Sequence, residues 1–410
     1  MSRRNISENA RLLVEEGGLI EEYAKYAQRY APRWTAAHYV LAALAVNHAI
    51  RNARIPMSRG GPRIYALLIA PTSAGKGLTY SIAESSILPE SWTLHLSIAT
   101  PEGLAEALLD ERELPEPPII AMSEFGQSLA TEYSRIQQFI LESYDGRPWI
   151  SKTRSNPIRV PAHRTRISFV GMTTPEPLLD PNLPRNLVYR YAVSGLMARM
   201  ILITGDIKYS EVPDYIEPRR EFAEAVAYIS QTPIAHSQFR MPIQLRYEVG
   251  AFVDEIHDKY QELRGVFGRL GEHVIKLAAA FAASRLEDII EEQDIDSATD
   301  ILRDAIPPVA KLVGDILSTT PQEVRVQTLE RRLYRLLRER AGNKPIPLRD
   351  AYRSLHVRRD DLLRLIDELE DDRIRVFWSG SRNMICFRAD EEACGGCRHR
   401  QRCSARPVVR

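Results

Sequence analysis

The spacing of apolar positions changes character along the chain, and the changes mark expected boundaries. Residues 1–62 carry apolar side chains at helical spacing and end in the loop signal SRGGPR, which predicts a helical N-terminal region. From residue 63, short apolar runs (IYALLIA, WTLHLSI, PPIIAM, RISFVGM, ARMILIT) alternate with amphipathic stretches. Short buried strands separated by helix-length segments are the pattern of a parallel α/β sheet, so 63–242 is expected to form such a core. Helical periodicity returns over 243–321, with EHVIKLAAAFAASRLEDII and then DIDSATDILRDAI, where an aspartate is available as N-cap. Residues 322–388 read as helix (VQTLERRLYRLLRER), short extended KPIP, helix (LRDAYRSLH), helix (RRDDLLRLIDELEDD) and hairpin (RIRVFWSGSRNMICFR), turning at Ser379-Gly380. Three helices followed by a β-wing predict a winged helix. A tail, 389–410, closes the chain.

Composition changes this picture little. A chain of 410 residues suits two or three domains, and a net charge of +1 leaves no overall excess of base. Any contact with nucleic acid must come from local patches. The start, MSRRNISENARLL, has no apolar leader, and AAHYVLAALAVNHAI is interrupted by His38, Asn47 and His48 and is too short to span a bilayer. A cytoplasmic protein without a membrane segment is expected.

The stretch after the first apolar run reads APTSAGKG: Ala70, Pro71, Thr72, Ser73, Ala74, Gly75, Lys76 and Gly77, followed by Leu78. Between a strand and a helix, such a loop turns successive N–H groups and a helix N-terminus toward phosphate oxygens, while the lysine reaches the β and γ phosphates. Gly77 occupies the place of the usual Mg²⁺-binding hydroxyl, and Ala70 that of the first glycine. Thr79 lies about 200° around the helix from that place, the wrong side to substitute. Further on, PPIIAMSEFG ends a strand in Glu124, suited to polarise an attacking water. Ser123 stands where an aspartate would support Mg²⁺. FVGMTTP ends a strand in Thr173-Thr174, and SGLMARMILI delivers Arg199 at the start of another.

In order and spacing these segments resemble a AAA+ ATPase, in particular the minichromosome maintenance helicases and the primase-helicase ATPases of plasmids and viruses, over about residues 63 to 388. DGRPWISKTRSNPIRVPAHRTRISFVGMTTP is similar to their pre-sensor-1 hairpin and sensor-1 strand, GLMARMI to their arginine-finger motif, and GRLGEHVIKLAAAFA to their sensor-2 helix. The resemblance implies an α/β P-loop core with a helical lid, ATP and Mg²⁺ as ligands, and a homo-oligomer, a hexameric ring. It implies Glu124, Thr174, Arg199 and Arg269 as catalytic, the last as the sensor-2 arginine, and DNA as partner. The hairpin, turning at Ser155-Asn156-Pro157, would point Lys152 into a central channel with Arg154 and Arg159 close by; a solvated charged hairpin is the plainer alternative. In the winged helix, Arg373, Arg375 and Arg382 on the wing suit phosphate better than the carboxylate-rich recognition helix. A protein-contact role for that domain stays open.

No cysteine precedes Cys386, and then Cys386, Cys394, Cys397 and Cys403 fall within eighteen residues. Crowded thiols in a chain read as cytoplasmic more often hold a metal than form disulfides. Zn²⁺ accepts four N/S ligands, with His399 or Cys386 as the fourth, and an iron–sulfur cluster accepts all four thiolates. The leading expectation is a DNA helicase or translocase of a mobile element that hydrolyses ATP. Two alternatives stay open: an ATP-dependent switch or loader that does not unwind, and a non-hydrolysing DNA-binding scaffold.

Overall fold

The computed structural model describes residues 6–96, 101–110, 116–151, 158–175, 195–207, 213, 215–318, 333–334, 336–337, 345–355, 357–368, 374–379 and 382–387. The chain forms two compact units, one of Met1–Leu179 with Arg185–Ser318, the other of Asp180–Pro184 with Thr319–Arg410. Residues 1–62, and the stretches 63–242 and 243–321 apart from 180–184 and 319–321, fall within the first unit.

That unit opens with α1 (Glu8–Glu15), α2 (Leu19–Gln28) and α3 (Thr35–Ala49). Ser7 caps α1, its Oγ accepting from Ala10 N at 3.4 Å, which satisfies one orphan N–H of the first turn. α3 is apolar around most of its circumference, and a helix of that kind must be covered on all sides. It packs against α2 and the first strand, and its buried residues run almost unbroken from Ala37 to Ala49. Leu41 and Leu44 are fully buried, each contributing about 2 kcal/mol of transfer free energy. The polar residues that interrupt α3 are paired: His38 Nε2 with Ala31 O at 2.9 Å, Asn47 Nδ2 donating to Lys276 O at 2.7 Å, and His48 Nδ1 with Ser168 Oγ at 3.2 Å. Buried polar groups require such partners, and here they fix the helix in one register.

Each of the apolar runs forms a strand: β1 (Tyr65–Ile69), β2 (Thr93–Leu96), β3 (Ile119–Met122), β6 (Ser168–Thr173) and β7 (Ile201–Thr204). A short antiparallel hairpin, β4 (Trp149–Ser151) with β5 (Ile158–Val160), lies between β3 and β6 in sequence. The main sheet has five strands in the order β2-β3-β6-β1-β7, and every neighbouring pair is parallel. β1, β3 and β6 are buried along their whole length, as parallel strands covered by helices on both faces must be. Crossovers run through α4 (Lys76–Ser86), α5 (Pro101–Leu109) and α6 (Phe125–Tyr144). The unit ends with α7 (Glu221–Ser230), α8 (Ile243–Lys259), α9 (Leu270–Ser284) and α10 (Glu292–Ser318).

Two helix boundaries differ from the periodicity. The pattern predicts a helix through Ile290, but α9 stops at Ser284, and Leu286 adopts a left-handed φ of 60°. The segment beyond is taken by backbone pairing with Arg240, which donates to Asp288 O at 2.8 Å and accepts from Ile290 N at 2.9 Å. Tertiary pairing overrides local propensity there. α10 starts at Glu292, earlier than an N-cap in the DIDS stretch would allow. Asp294 instead accepts from Glu291 N at 2.9 Å and faces Arg285 Nη1 at 2.8 Å.

In the second unit, α11 (Leu348–Leu355) and α12 (Arg359–Glu368) accompany an antiparallel sheet of β8 (Ile346–Pro347), β10 (Arg382–Phe387) and β9 (Ile374–Ser379), in that order. Leu333, Leu336, Leu337, Leu348, Leu355, Leu362 and Ile385 make its core. The β9–β10 register pairs Ser379 with Arg382, close to the expected turn. No helix among the described residues is long and apolar enough to cross a membrane.

Candidate nucleotide site

The loop Ala70–Gly75 leaves the C-terminal end of β1, the edge at which open parallel sheets bind ligands. Two residues in it have positive φ, Ser73 at 68° and Gly75 at 87°. A serine in this region is uncommon, and such strain persists where the surroundings enforce it. Residues of left-handed backbone among right-handed ones turn successive N–H groups toward one concavity, which is an anion nest. Gly75 is the N-cap of α4, so the helix N-terminus adds its partial positive charge. Lys76 Nζ donates to Ala70 O at 3.1 Å and Pro71 O at 3.3 Å, so its ammonium lies across the loop's own carbonyls. Pro71, Thr72, Ser73 and Gly77 are exposed, Gly75, Lys76 and Leu78 are half-buried, and Ala74 is buried.

A Cβ added at Gly77 would meet nothing within 4 Å. The fit for phosphate is therefore good, with N–H groups, a lysine and open space. The fit for Mg²⁺ is poorer, because no hydroxyl occupies that space. Thr79 does not supply one, since it is fully buried.

Sheet register brings the other expected residues to the same edge. Ile69 pairs with both Thr173 and Thr204, and Ala70 N donates to Thr173 O at 3.2 Å, extending the ladder. Met122, the last residue of β3, pairs with Gly171 near the end of β6, so Glu124 follows β3 at the same C-terminal edge of the sheet. Glu124 is exposed at the start of α6, and Ser123 N donates to Leu96 O at 3.1 Å. Thr173 is buried with its Oγ1 donating to Thr174 O at 3.0 Å, and Thr174 is half-buried. Loop, carboxylate and threonines thus share one rim.

Arg199 and Arg269 are elsewhere. Arg199 ends a short turn two residues before β7, at the opposite edge, and Tyr144 beside it stacks edge-on against Tyr65, the first residue of β1, with ring centroids 5.1 Å apart. β1 is five residues long, so the two edges are about 16 Å apart along the strand. Both arginines converge on Asp145: Arg199 Nη2 is 3.2 Å from Oδ2 and Arg269 Nη1 is 3.6 Å from Oδ1. Both guanidinium groups also lie over the Tyr144 ring, at 5.8 and 5.3 Å.

Behind them Lys276 is buried, its Nζ 3.8 Å from the Tyr144 centroid and 3.2 Å from Glu272 Oε1. Burial pushes the Lys276 ammonium down to about 7, against the pull of Glu272. Burial would raise Glu272, but Lys276 and the Ser58 hydroxyl, which donates to it at 2.7 Å, hold it at about 2. Sequence reasoning missed Asp145 and Tyr144. Neither carries a motif, and their partners are more than fifty residues away.

The hairpin stem forms, with Ile150 opposite Arg159 and Trp149 opposite Val160. Arg159 is exposed on it, while Lys152 and Arg154 lie outside the described residues. Cys386 is buried in β10, opposite Arg375; Cys394, Cys397 and Cys403 lie outside the described residues. Among the described residues no group of histidine, cysteine or acidic side chains is arranged to hold a metal. No family model matches this chain, and no curated protein matches it.

Proposed function

We propose that this chain is an ATPase of AAA+ type that assembles into a ring and acts on DNA as a helicase or translocase. The observation that carries the reading is the shared rim: a loop with two left-handed residues and a lysine after β1, Glu124 after β3 and the Thr173-Thr174 pair at the end of β6, all at the C-terminal edge of one parallel sheet. In this mechanism the loop N–H groups and Lys76 bind the β and γ phosphates, Lys76 exchanging its two loop carbonyls for phosphate oxygens. Glu124 takes the proton from the attacking water, and Thr174 orients that water against the γ-phosphate.

Arg199 and Arg269 cannot serve their own chain's loop, because the length of β1 separates them from it. They would complete the site of a neighbouring subunit, and such a head-to-tail contact closes into a ring. The β4–β5 hairpin would carry Lys152, Arg154 and Arg159 to the DNA backbone, giving affinity and salt dependence without sequence choice. The second unit, two helices with a three-stranded antiparallel sheet, supports the winged-helix reading. The cysteines Cys386, Cys394, Cys397 and Cys403 would hold zinc or an iron–sulfur cluster.

One observation favours a second reading. The empty space at Gly77 and the serine at position 123 leave Mg²⁺ without its usual loop hydroxyl and acidic ligand, which suits a switch that binds ATP and turns it over slowly. DNA-stimulated ATPase and displacement of a forked duplex separate the two. Lys76→Ala should abolish ATP binding, and Glu124→Gln should keep binding and lose turnover. Normal turnover by Glu124→Gln would remove the role given to that carboxylate.

A further inference from the structure

We infer that Trp34, in the N-terminal helical region, is a positioning residue of the phosphate loop. The inference rests on the nucleotide reading of that loop and adds to it a part contributed from outside the α/β core.

Trp34 closes the short turn Pro32–Trp34 before α3 and is 1% exposed. Its indole Nε1 donates to Ala74 O at 3.0 Å. A trans peptide points its C=O and the following N–H in opposite directions. Binding the carbonyl of Ala74 from behind therefore turns the N–H of Gly75 away from Trp34. In a phosphate loop that side is the concavity in which the anion sits, and this N–H is one of the donors.

The neighbouring glycines show how closely the indole is fitted. A Cβ on Gly75 would come 3.2 Å from Trp34 Nε1 and 2.8 Å from Ile207 Cγ2, besides straining a φ of 87°. A Cβ on Gly205, just after β7, would come 2.8 Å from Trp34 Cδ2 and 3.0 Å from Arg33 O. Next to it, Arg33 Nη1 pairs with Asp206 Oδ2 at 3.1 Å, tying the Trp34 turn to the segment after β7. Indole N–H groups that are buried find acceptors, and this one has taken a carbonyl of the loop itself.

The test replaces Trp34 by β-(3-benzothienyl)alanine, which keeps the two-ring shape and removes only the N–H. Packing is preserved, so a purely structural role predicts unchanged ATP affinity. Loss of one well-aimed donor to a charged phosphate predicts binding weaker by about 10- to 100-fold in calorimetry. Equal affinity in the two proteins overturns the inference. Should the replacement impair folding, a second protein with Trp92, Trp149 and Trp378 changed to Phe leaves Trp34 as its sole indole. ATP must then change its emission, and binding seen by calorimetry without any spectral change also overturns the inference. If unmodified protein binds no ATP, the nucleotide reading itself has failed, and the Trp34 role falls with it.

Discussion

Asp145 holds Arg199 at 3.2 Å and reaches Arg269 with its other oxygen, so one carboxylate restrains both arginines expected to act on phosphate. Each partner of the closer pair is shielded from water, with side-chain exposures of 14% for Arg199 and 18% for Asp145, so it is worth more than a surface bridge. A γ-phosphate brought by a neighbouring subunit would compete with Asp145 for the same guanidinium groups. Arg199→Ala should leave ATP binding by isolated subunits nearly intact and lower turnover of the assembly by about 10³-fold or more. Mixing it with Glu124→Gln should recover part of the activity, because a mixed ring contains some interfaces with both groups intact. Turnover per subunit that does not depend on protein concentration would show that no neighbour takes part.

Gly77 offers a gain-of-function experiment. The position is exposed and a side chain there meets nothing, so Gly77→Thr should fold and place a hydroxyl where Mg²⁺ is ordinarily bound. ATP turnover should rise severalfold, and half-maximal activity should need less Mg²⁺. The same substitution removes a glycine from the first turn of α4, so the thermal midpoint should not fall. An unchanged Mg²⁺ titration would mean that this chain holds the ion differently.

Buried histidines predict acid sensitivity. Burial lowers both His38 and His273 to about 4, from an ordinary value near 6.5. Between those limits the unfolded chain binds more protons than the folded one, so stability falls as pH drops from about 6.5 through 4. Each imidazole accounts for on the order of 3 kcal/mol once the fall is complete. Thermal midpoints measured from pH 7 to 4 should decline steadily across this window, and a flat profile would contradict the assignment of neutral imidazoles.

The cysteine-rich tail makes a prediction that colour alone can read. Protein purified without oxygen should carry a metal on Cys394, Cys397 and Cys403, with Cys386 as fourth ligand. Broad absorbance near 400 nm would identify an iron–sulfur cluster, and colourless protein with about one zinc per chain would identify zinc. Four freely titratable thiols in metal-free protein would rule out both.

Much of the fold is legible in the sequence because its signals are local. The apolar runs from IYALLIA to ARMILIT each form a strand; β1, β3 and β6 are wholly buried, where parallel strands need uninterrupted apolar side chains, while the edge strand β2 is half-buried and carries the exposed His95. The loop is legible for the same reason, its glycine and lysine lying within a few residues of each other. The illegible contacts are those between residues distant in sequence. Trp34 meets Ala74 forty positions away, and Asp145 meets Arg199 and Arg269 across 54 and 124 positions. The end of α9 is hidden in the same way: nothing near Arg285 announces that Arg240 will claim the next backbone groups.

The all-round burial of α3 has a consequence for how this chain can change. A cut at residue 62 would strip the helix whose Asn47 engages the backbone of Lys276 and whose His48 engages Ser168 on β6. It would also uncover β1, against which α3 packs, and take away the indole behind the loop Ala70–Gly75. The N-terminal helices are thus a keystone: the chain before residue 63 cannot be exchanged without also replacing the core that α3 covers.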